Sequence, residues 1–221
     1  MRQLLEKRGL NSHMGHEWID LTIPMRPGMT VWPGDDGFHF EPTVRMAEGA
    51  PYNLSTLRLS AHTGTHCDAP WHFLDDGKRL DETDPAVFFG PALLLDLRGL
   101  ETIRAADLPS APLPPRILFR TRNSDRPTDA PFDTGFVGFE TDAAARMVAD
   151  GVRMVGFDGP SVGPYSCVEE AHCILLRADV FIVENLRLAQ CDAGEYECIV
   201  LPMRIMGADG APCRAFMRRI A

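Results

Sequence analysis

The sequence is dominated by one histidine-rich stretch, residues 62–72, which reads His62-Thr63-Gly64-Thr65-His66-Cys67-Asp68-Ala69-Pro70-Trp71-His72. The spacing of His62 and His66 is that of a pair presented to zinc on one face of a helix. However, Gly64 lowers helical propensity, and Pro70 lacks an amide donor and disfavours a helical conformation at the residue before it. We therefore predict that the stretch is largely extended.

An extended stretch would bring its polar side chains to one side. Alternate side chains of a strand point to the same face, so the three histidines and Asp68 would share one pocket, whereas Cys67 would pack on the other side. Imidazole nitrogen and carboxylate oxygen together suit zinc, manganese or iron in a catalytic site that activates water. The stretch thus predicts a metal-dependent hydrolase of amides or esters. The alternative is a loop that these residues merely cap and hydrogen-bond.

Composition and charge indicate a globular protein and argue against two classes of partner. The chain has 221 residues, of which 45% are hydrophobic, and a net charge of -9, which opposes contacts with nucleic-acid phosphates. No apolar run approaches the roughly 18 to 20 residues that span a bilayer, and no signal peptide is evident, so we expect a cytoplasmic protein without a membrane partner. Residues 1–14 are expected to be a disordered or expression-derived leader, and residues 15–221 one domain. His13 and His16 are left out of the site on that ground.

The order of apolar segments predicts an α/β fold with a mixed sheet. Short β-branched or continuous apolar runs alternate with two segments that have helical patterning, and Thr141 is a candidate cap of the first helix. Strands with interleaved helices favour a layered single domain. The predicted strands are 18–23, 54–59, 92–97, 116–121, 152–157, 180–184 and 196–205, and the predicted helices are 141–149 and 167–176.

Two residues far from the histidine-rich stretch are candidates to complete its site. Glu184 follows the apolar run 180–183, and a carboxylate at the end of a buried strand must be paired or bound to a cation. On this pattern alone, an amide or an arginine is as good a partner as a metal. His172 lies in the second predicted helix after two glutamates, where a solvated histidine is the usual finding, and His39 is expected at the surface or in a structural role.

The same residues carry a family resemblance. The pattern His-Thr-Gly-Thr-His-x-Asp-Ala-Pro-x-His resembles the signature of the metal-dependent cyclase-like hydrolases, the family that contains bacterial kynurenine formamidase and isatin hydrolase. The resemblance covers nearly everything after Trp18 and implies a single-domain swivelling β/β/α fold. Four further segments are similar to that family in the same order: 31–35 (Val-Trp-Pro-Gly-Asp), 156–161 (Gly-Phe-Asp-Gly-Pro-Ser), the spacing from Ala171-His172 to Glu184-Asn185, and 207–212 (Gly-Ala-Asp-Gly-Ala-Pro).

The resemblance also implies roles and partners. Two divalent ions per subunit, zinc or else manganese, would share Asp68 and Glu184 as bridging ligands, and the subunits would form a homodimer or a higher homo-oligomer. By the same resemblance, the metal ligands are His62, His66, Asp68, His172 and Glu184, the catalytic acid/base residue is His72, and Trp32 binds substrate.

The expected substrate is a small aromatic amide. An aryl formamidase would convert N-formylkynurenine to kynurenine and formate, a hydrolase of isatin or another cyclic amide is the alternative, and a metal-binding protein without catalysis is the non-enzymatic one. An aromatic wall for a planar substrate could come from Trp32, Trp71, Phe38 and Phe40, although core packing is the better interpretation for the two phenylalanines.

Overall fold

A computed structural model describes residues 17–220, which fold into a mixed α/β structure with ten strands and two helices. No helix in this part of the chain is long and apolar enough to cross a membrane. The predicted leader, with His13 and His16, lies outside the described residues. In chain order the elements are β1 Ile19–Asp20, β2 His39–Val44, β3 Leu54–Arg58, β4 His66–Asp68, β5 Phe89–Asp96, β6 Arg116–Arg120, α1 Thr141–Ala149, β7 Met154–Phe157, α2 Val168–Arg177, β8 Phe181–Glu184, β9 Gly194–Pro202 and β10 Gly210–Arg219.

Eight strands form one sheet that closes on itself. The strand order is β1-β10-β4-β8-β7-β6-β5-β9, and β10 also pairs with β9, which joins the two sides of the sheet. Strands β5, β6, β7 and β8 are parallel neighbours, whereas β4, β9 and β10 pair antiparallel. The α/β class and the mixed sheet predicted from the sequence are therefore confirmed. Strands β2 and β3 form a separate antiparallel hairpin.

Side chains alternate between two hydrophobic cores on either side of the sheet. One core fills the closed sheet and includes Leu118, Met154 and Val183, all almost completely buried. The other lies under helices α1 and α2 and includes Phe119 and Val155, which are the sequence neighbours of residues in the first core. Because adjacent residues of a strand point to opposite faces, strands buried on both faces are continuously apolar, as in β6 to β8.

The elements match most of the predicted segments, with four differences. The predicted strand 18–23 is reduced to the two residues of β1. Helix α1 begins at Thr141, so Glu140 precedes it and Thr141 is not its cap. Strand β10 was not predicted, because most of its inward side chains are small, which leaves a weak hydrophobic pattern. Strand β2 was not predicted either, because Pro42 interrupts its short apolar pattern.

The closed sheet brings three loops to one edge. The carboxyl ends of parallel strands meet at the same edge of a sheet, and this edge is where open α/β sheets usually bind ligands. Thr121 follows β6, Asp158 follows β7, and Glu184 ends β8. Asp158 accepts hydrogen bonds from the Thr121 amide at 2.6 Å and from the Thr121 hydroxyl at 2.8 Å, which ties the first two loops together.

The close packing of the loop before α2 can be tested by substitution of Gly163. A Cβ atom on Gly163 would lie 2.4 Å from the Val168 carbonyl oxygen, so Gly163→Ala must shift backbone. We expect the free energy of unfolding to fall by about 1 to 3 kcal/mol, the usual cost of overpacking. Gly99→Ala is the matched control, because no atom lies within 4 Å of its Cβ position. Urea unfolding of both variants measures the difference, and equal stability would contradict the tight approach.

Candidate active site

The histidine-rich stretch is not one extended strip, which corrects the sequence prediction. Only His66–Asp68 is a strand; residues 62–65 form turns, and Pro70–His72 is a short 3-10 turn. Gly64 has a φ of 67°, in the left-handed region that glycine adopts without strain, and Pro70 occupies the start of the 3-10 turn. These two residues exclude a helix, as predicted, but they do so by folding the chain around Asp68.

Three imidazoles surround the carboxylate of Asp68, which is completely buried. The His62 Nδ1 atom lies 2.9 Å and the His66 Nε2 atom 3.3 Å from Asp68 Oδ1. The His172 Nε2 atom lies 3.6 Å from Asp68 Oδ2. His172 is therefore a buried member of this cluster and not the solvated helix residue that its sequence surroundings suggest.

Glu184 completes the cluster through the register of two strands. Strands β4 and β8 are antiparallel, and His66 stands directly opposite Glu184, so their side chains are neighbours by pairing alone. The Glu184 carboxylate lies 3.4 Å from His66 Nε2 and 3.2 Å from His172 Nε2, and it accepts a 2.7 Å hydrogen bond from the Val162 amide. The buried strand end expected for Glu184 thus exists, and its neighbours are imidazoles and an amide, without an arginine.

Backbone carbonyls orient two of the imidazoles. The Nδ1 atom of His66 lies 2.9 Å from the Gly64 carbonyl, and that of His172 lies 2.7 Å from the Val168 carbonyl. A carbonyl only accepts, so both rings carry a proton on Nδ1 and direct Nε2 toward the carboxylates. The Asn185 side chain also donates to the Gly64 carbonyl, at 3.1 Å. Such contacts are typical of histidines that bind metal through the other ring nitrogen.

The cluster favours positive charge. Burial by itself lowers histidine pKa values, but the interactions that the rings donate to the carboxylates outweigh it and raise the pKa of His62 to about 9 and those of His66 and His172 to about 10. Burial would raise the pKa of Asp68, yet the three neighbouring histidines, His172 first, hold it well below its usual range. The carboxylates thus create a place where a cation is stabilised.

These residues fit a divalent metal ion. Asp68 Oδ2 is buried and has no hydrogen-bond partner among the described residues, so one lone-pair site is left for another ligand or ion. Two sets of three potential ligand atoms each lie within 4.8 Å of one another, and both include Asp68. Nitrogen and oxygen ligands suit zinc, manganese or iron. The first set is His62, Asp68 and His72, and the second is His66, Asp68 and Glu184.

Asp209 joins the site although the sequence reasoning missed it. Its carboxylate lies 2.9 Å from His62 Nε2 and 3.6 Å from His72 Nδ1, and the two rings stack with centroids 3.9 Å apart. Hydrogen bonds from His62 and His72 hold the pKa of Asp209 well below its usual range. The one signal was its position between small residues in the segment 207–212, immediately before β10, which pairs with β4, the strand of His66 and Asp68.

A cavity of about 960 Å³ opens onto this cluster. Trp32 lines it and contacts Phe132 and Phe136 edge to face, with ring centroids 5.1 and 6.2 Å apart. The two phenylalanines were not identified from the sequence, because they lie in the loop between β6 and α1 without any periodic pattern. The cavity is therefore lined by an aromatic group around Trp32 as well as by the histidines and carboxylates of the cluster.

The other aromatic candidates lie elsewhere. Phe38, Phe40 and Trp71 do not line the cavity, and Phe40 is 51% exposed on the hairpin, so the interpretation of that residue as core is wrong. Trp71 stacks under the guanidinium of Arg79, 3.7 Å from its ring centre. Cys67 is buried in the core within the closed sheet, as predicted, and His39 is exposed beside Asp36.

Comparison with known proteins gives consistent results. The family model for putative cyclases matches residues 19–164. A kynurenine formamidase of Bacillus cereus strain ATCC 14579 is 37% identical over 207 residues, covering 92% of this chain and 98% of the relative. A kynurenine formamidase of Erythrobacter litoralis strain HTCC2594 is 36% identical over 203 residues, covering 91% and 93%.

Solved structures agree in fold. A potential metal-dependent hydrolase with cyclase activity superposes with a TM-score of 0.81 at 28% identity, covering 93% of this chain and 98% of the other. Isatin hydrolase A from Labrenzia aggregata superposes with a TM-score of 0.76 at 20% identity, covering 93% and 94%, which shows a common fold. The resemblance and the hydrolase class inferred from the sequence are confirmed, and the chain belongs to the cyclase family of metal-dependent hydrolases.

Proposed function

We propose that the chain is an aryl formamidase that converts N-formylkynurenine to kynurenine and formate. The observation that carries this proposal is the buried Asp68 cluster beside a cavity that is also lined by the aromatic side chains of Trp32, Phe132 and Phe136. A planar aryl group would pack near Trp32 while its formamide reaches the histidines. The relatives at 36–37% identity, named kynurenine formamidases, support the choice of substrate.

The metal centre is assigned by combining these contacts with the family resemblance. His62, His66 and Asp68 would hold one ion, and Asp68 and Glu184 would bridge to a second that His172 completes. We propose zinc, with manganese as the alternative, because a mixed nitrogen and oxygen site suits both. When bound, such ions lower the pKa of a water ligand and polarise a carbonyl oxygen. The orphaned oxygen of Asp68 is the feature of this chain that most directly supports a bound cation.

His72 is proposed to move the protons. Its side chain is 28% exposed and lines the cavity, whereas that of His62 is 14% exposed and those of His66 and His172 are buried, so His72 is the most accessible of the four to substrate and solvent. It would accept a proton from the attacking water and deliver it to the departing aryl nitrogen as the formyl carbon–nitrogen bond breaks. Asp209, 3.6 Å from His72 Nδ1, would hold the His72 ring in position.

A cyclic amide such as isatin is the second candidate substrate. The aromatic wall of Trp32, Phe132 and Phe136 suits any planar aryl amide, including one whose amide is part of a ring.

The cytoplasmic location and the homodimer or higher homo-oligomer expected from the sequence remain predictions, as does the single domain over residues 15–221.

A variant of His72 tests its catalytic role. We expect His72→Ala to keep its metal and to lose turnover by about 10²-fold or more, the usual scale for an acid/base group. Elemental analysis and steady-state kinetics measure the two effects, with His39→Ala, exposed on the hairpin, as the control. Loss of metal would make His72 a ligand instead, and unchanged turnover would remove it from the mechanism.

A variant of Glu184 tests the metal assignment without relying on activity. Glu184→Gln replaces one potential ligand oxygen by an amide nitrogen, so we expect elemental analysis to find clearly less metal per chain after dialysis. The matched control is Glu41→Gln, which makes the same exchange on the exposed hairpin. Metal content equal to that of the unmodified protein would show that Glu184 serves the fold alone.

A comparison of two substrates tests the reaction itself. We expect the zinc- or manganese-loaded protein to hydrolyse N-formylkynurenine with a higher kcat/KM than isatin. Release of formate and absorbance of the products measure the two reactions. Preference for isatin would move the assignment to cyclic amides, and no turnover of either by a metal-loaded sample would reject the proposed substrates.

A further inference from the structure

Charged residues of the cavity wall are mostly neutralised in pairs. Among the arginines that line the cavity, Arg26 pairs with Asp129 at 2.7 Å and Arg126 pairs with Asp133, and both aspartates also line it. The third lining arginine, Arg187, makes no side-chain hydrogen bond or ion pair with any residue in the range 17–220. The cavity therefore presents one arginine whose side-chain donors have no partner among the described residues.

Hydrogen bonds and buried neighbours hold the backbone at Arg187, so the point from which its side chain extends is fixed. The neighbouring residues Leu186 and Leu188 are buried in the core of the closed sheet, which leaves Arg187 on the opposite, exposed side. The Arg187 amide donates to the Leu21 carbonyl at 2.8 Å, and the Leu188 amide donates to the Ser124 hydroxyl at 3.3 Å. The backbone at Arg187 is thus held in place, while no residue in the range 17–220 binds its guanidinium.

The residues that follow Arg187 are held by hydrogen bonds from a side chain of the sheet. The buried Arg120 of β6 donates to the carbonyls of Ala189 and Cys191, at 2.8 Å for Cys191. Arg187 itself follows Glu184 by three residues, and both line the same cavity. A positively charged residue therefore lies on the short segment that follows Glu184, and both residues line the same cavity.

We propose that Arg187 is a specificity-determining residue that binds a carboxylate on the substrate remote from the scissile amide. Guanidinium groups bind carboxylates through two parallel charge-assisted hydrogen bonds, and an arginine without an internal partner has both available. The inference rests on the proposed function and refines it: the preferred substrates are aryl formamides with an anionic side chain. Asp35 and Glu169 also line the cavity without an ion pair among the described residues. The cavity as a whole therefore does not attract anions, and binding of a carboxylate must depend on direct contact with Arg187.

Kinetics of Arg187→Gln on matched substrates test the proposal. N-formylkynurenine carries the carboxylate, and 2′-formamidoacetophenone is the same aryl formamide without the amino-acid end. We expect KM for N-formylkynurenine to rise about tenfold, the lower range for a charged hydrogen bond because the site is exposed, with kcat within about twofold. KM for the neutral substrate stays unchanged. Equal effects on both substrates, or none, would overturn the proposal.

The control variant removes the same charge outside the cavity. Arg153→Gln changes an exposed arginine at the start of β7, at the end of the sheet away from Asp158, and it should alter neither KM. Thermal unfolding of both variants should match the unmodified protein, because the Arg187 side chain makes no internal hydrogen bond or ion pair in the described chain.

Calorimetry separates this proposal from the proposed reaction. Titration uses 3-(2-aminobenzoyl)propanoate, which retains the carboxylate and lacks the ammonium group, and 2′-aminoacetophenone, which lacks both. We expect Arg187→Gln to weaken only the first ligand, by about tenfold. If N-formylkynurenine and the neutral formamide are both left unhydrolysed, the proposed function fails, and calorimetry still decides the role of Arg187. Equal affinity of the first ligand for both proteins, or no binding to either, would reject it.

Discussion

The buried carboxylate of Asp68 is the constraint on which the rest of the site depends. An ionised carboxylate removed from water is stable only where hydrogen bonds or opposite charges compensate it. The compensating imidazoles come from a turn, from strand β4 and from helix α2, so three separate parts of the chain must be in place at once. They still leave Asp68 Oδ2 without a hydrogen-bond partner among residues 17–220. A buried carboxylate oxygen without a donor favours the binding of a cation at this site.

The closed sheet supplies the rigidity that this compensation requires. Strand β4 is held between β10 and β8, and the register with β8 sets His66 opposite Glu184. His66, Asp68 and Glu184 therefore lie on paired strands and His172 on a helix, where small displacements are resisted, whereas His62 and His72 lie on the turns that flank β4. Phe132, Phe136 and Arg187 lie on loops anchored by the Ser124 and Asp158 hydrogen bonds. Residues on such loops can change without disturbing the cluster around Asp68.

Comparison of sequence and structure shows which patterns carry information. Continuous apolar runs identified β6 to β8 because both faces of these strands are buried, but β10, with small inward residues, left too weak a pattern. The prediction of one extended strip was wrong because alternation was extrapolated through Gly64 and Pro70, whose own conformations turn the chain. Phe40 was misjudged for a related reason: a phenylalanine in a β-rich region is usually buried, yet the hairpin leaves it exposed.

The sequence by itself determined the family, the α/β class and the set of metal-competent side chains in the stretch 62–72, because residue identity and local spacing carry these directly. Only the tertiary structure decided how they meet. Asp209 reaches His62 across 147 positions, and Glu184 reaches His66 through strand register. It also decided that His172 is buried and that Arg187 faces a cavity without a carboxylate partner in the described chain. Burial and ion pairing between distant segments depend on how the whole chain packs, and no local pattern encodes them.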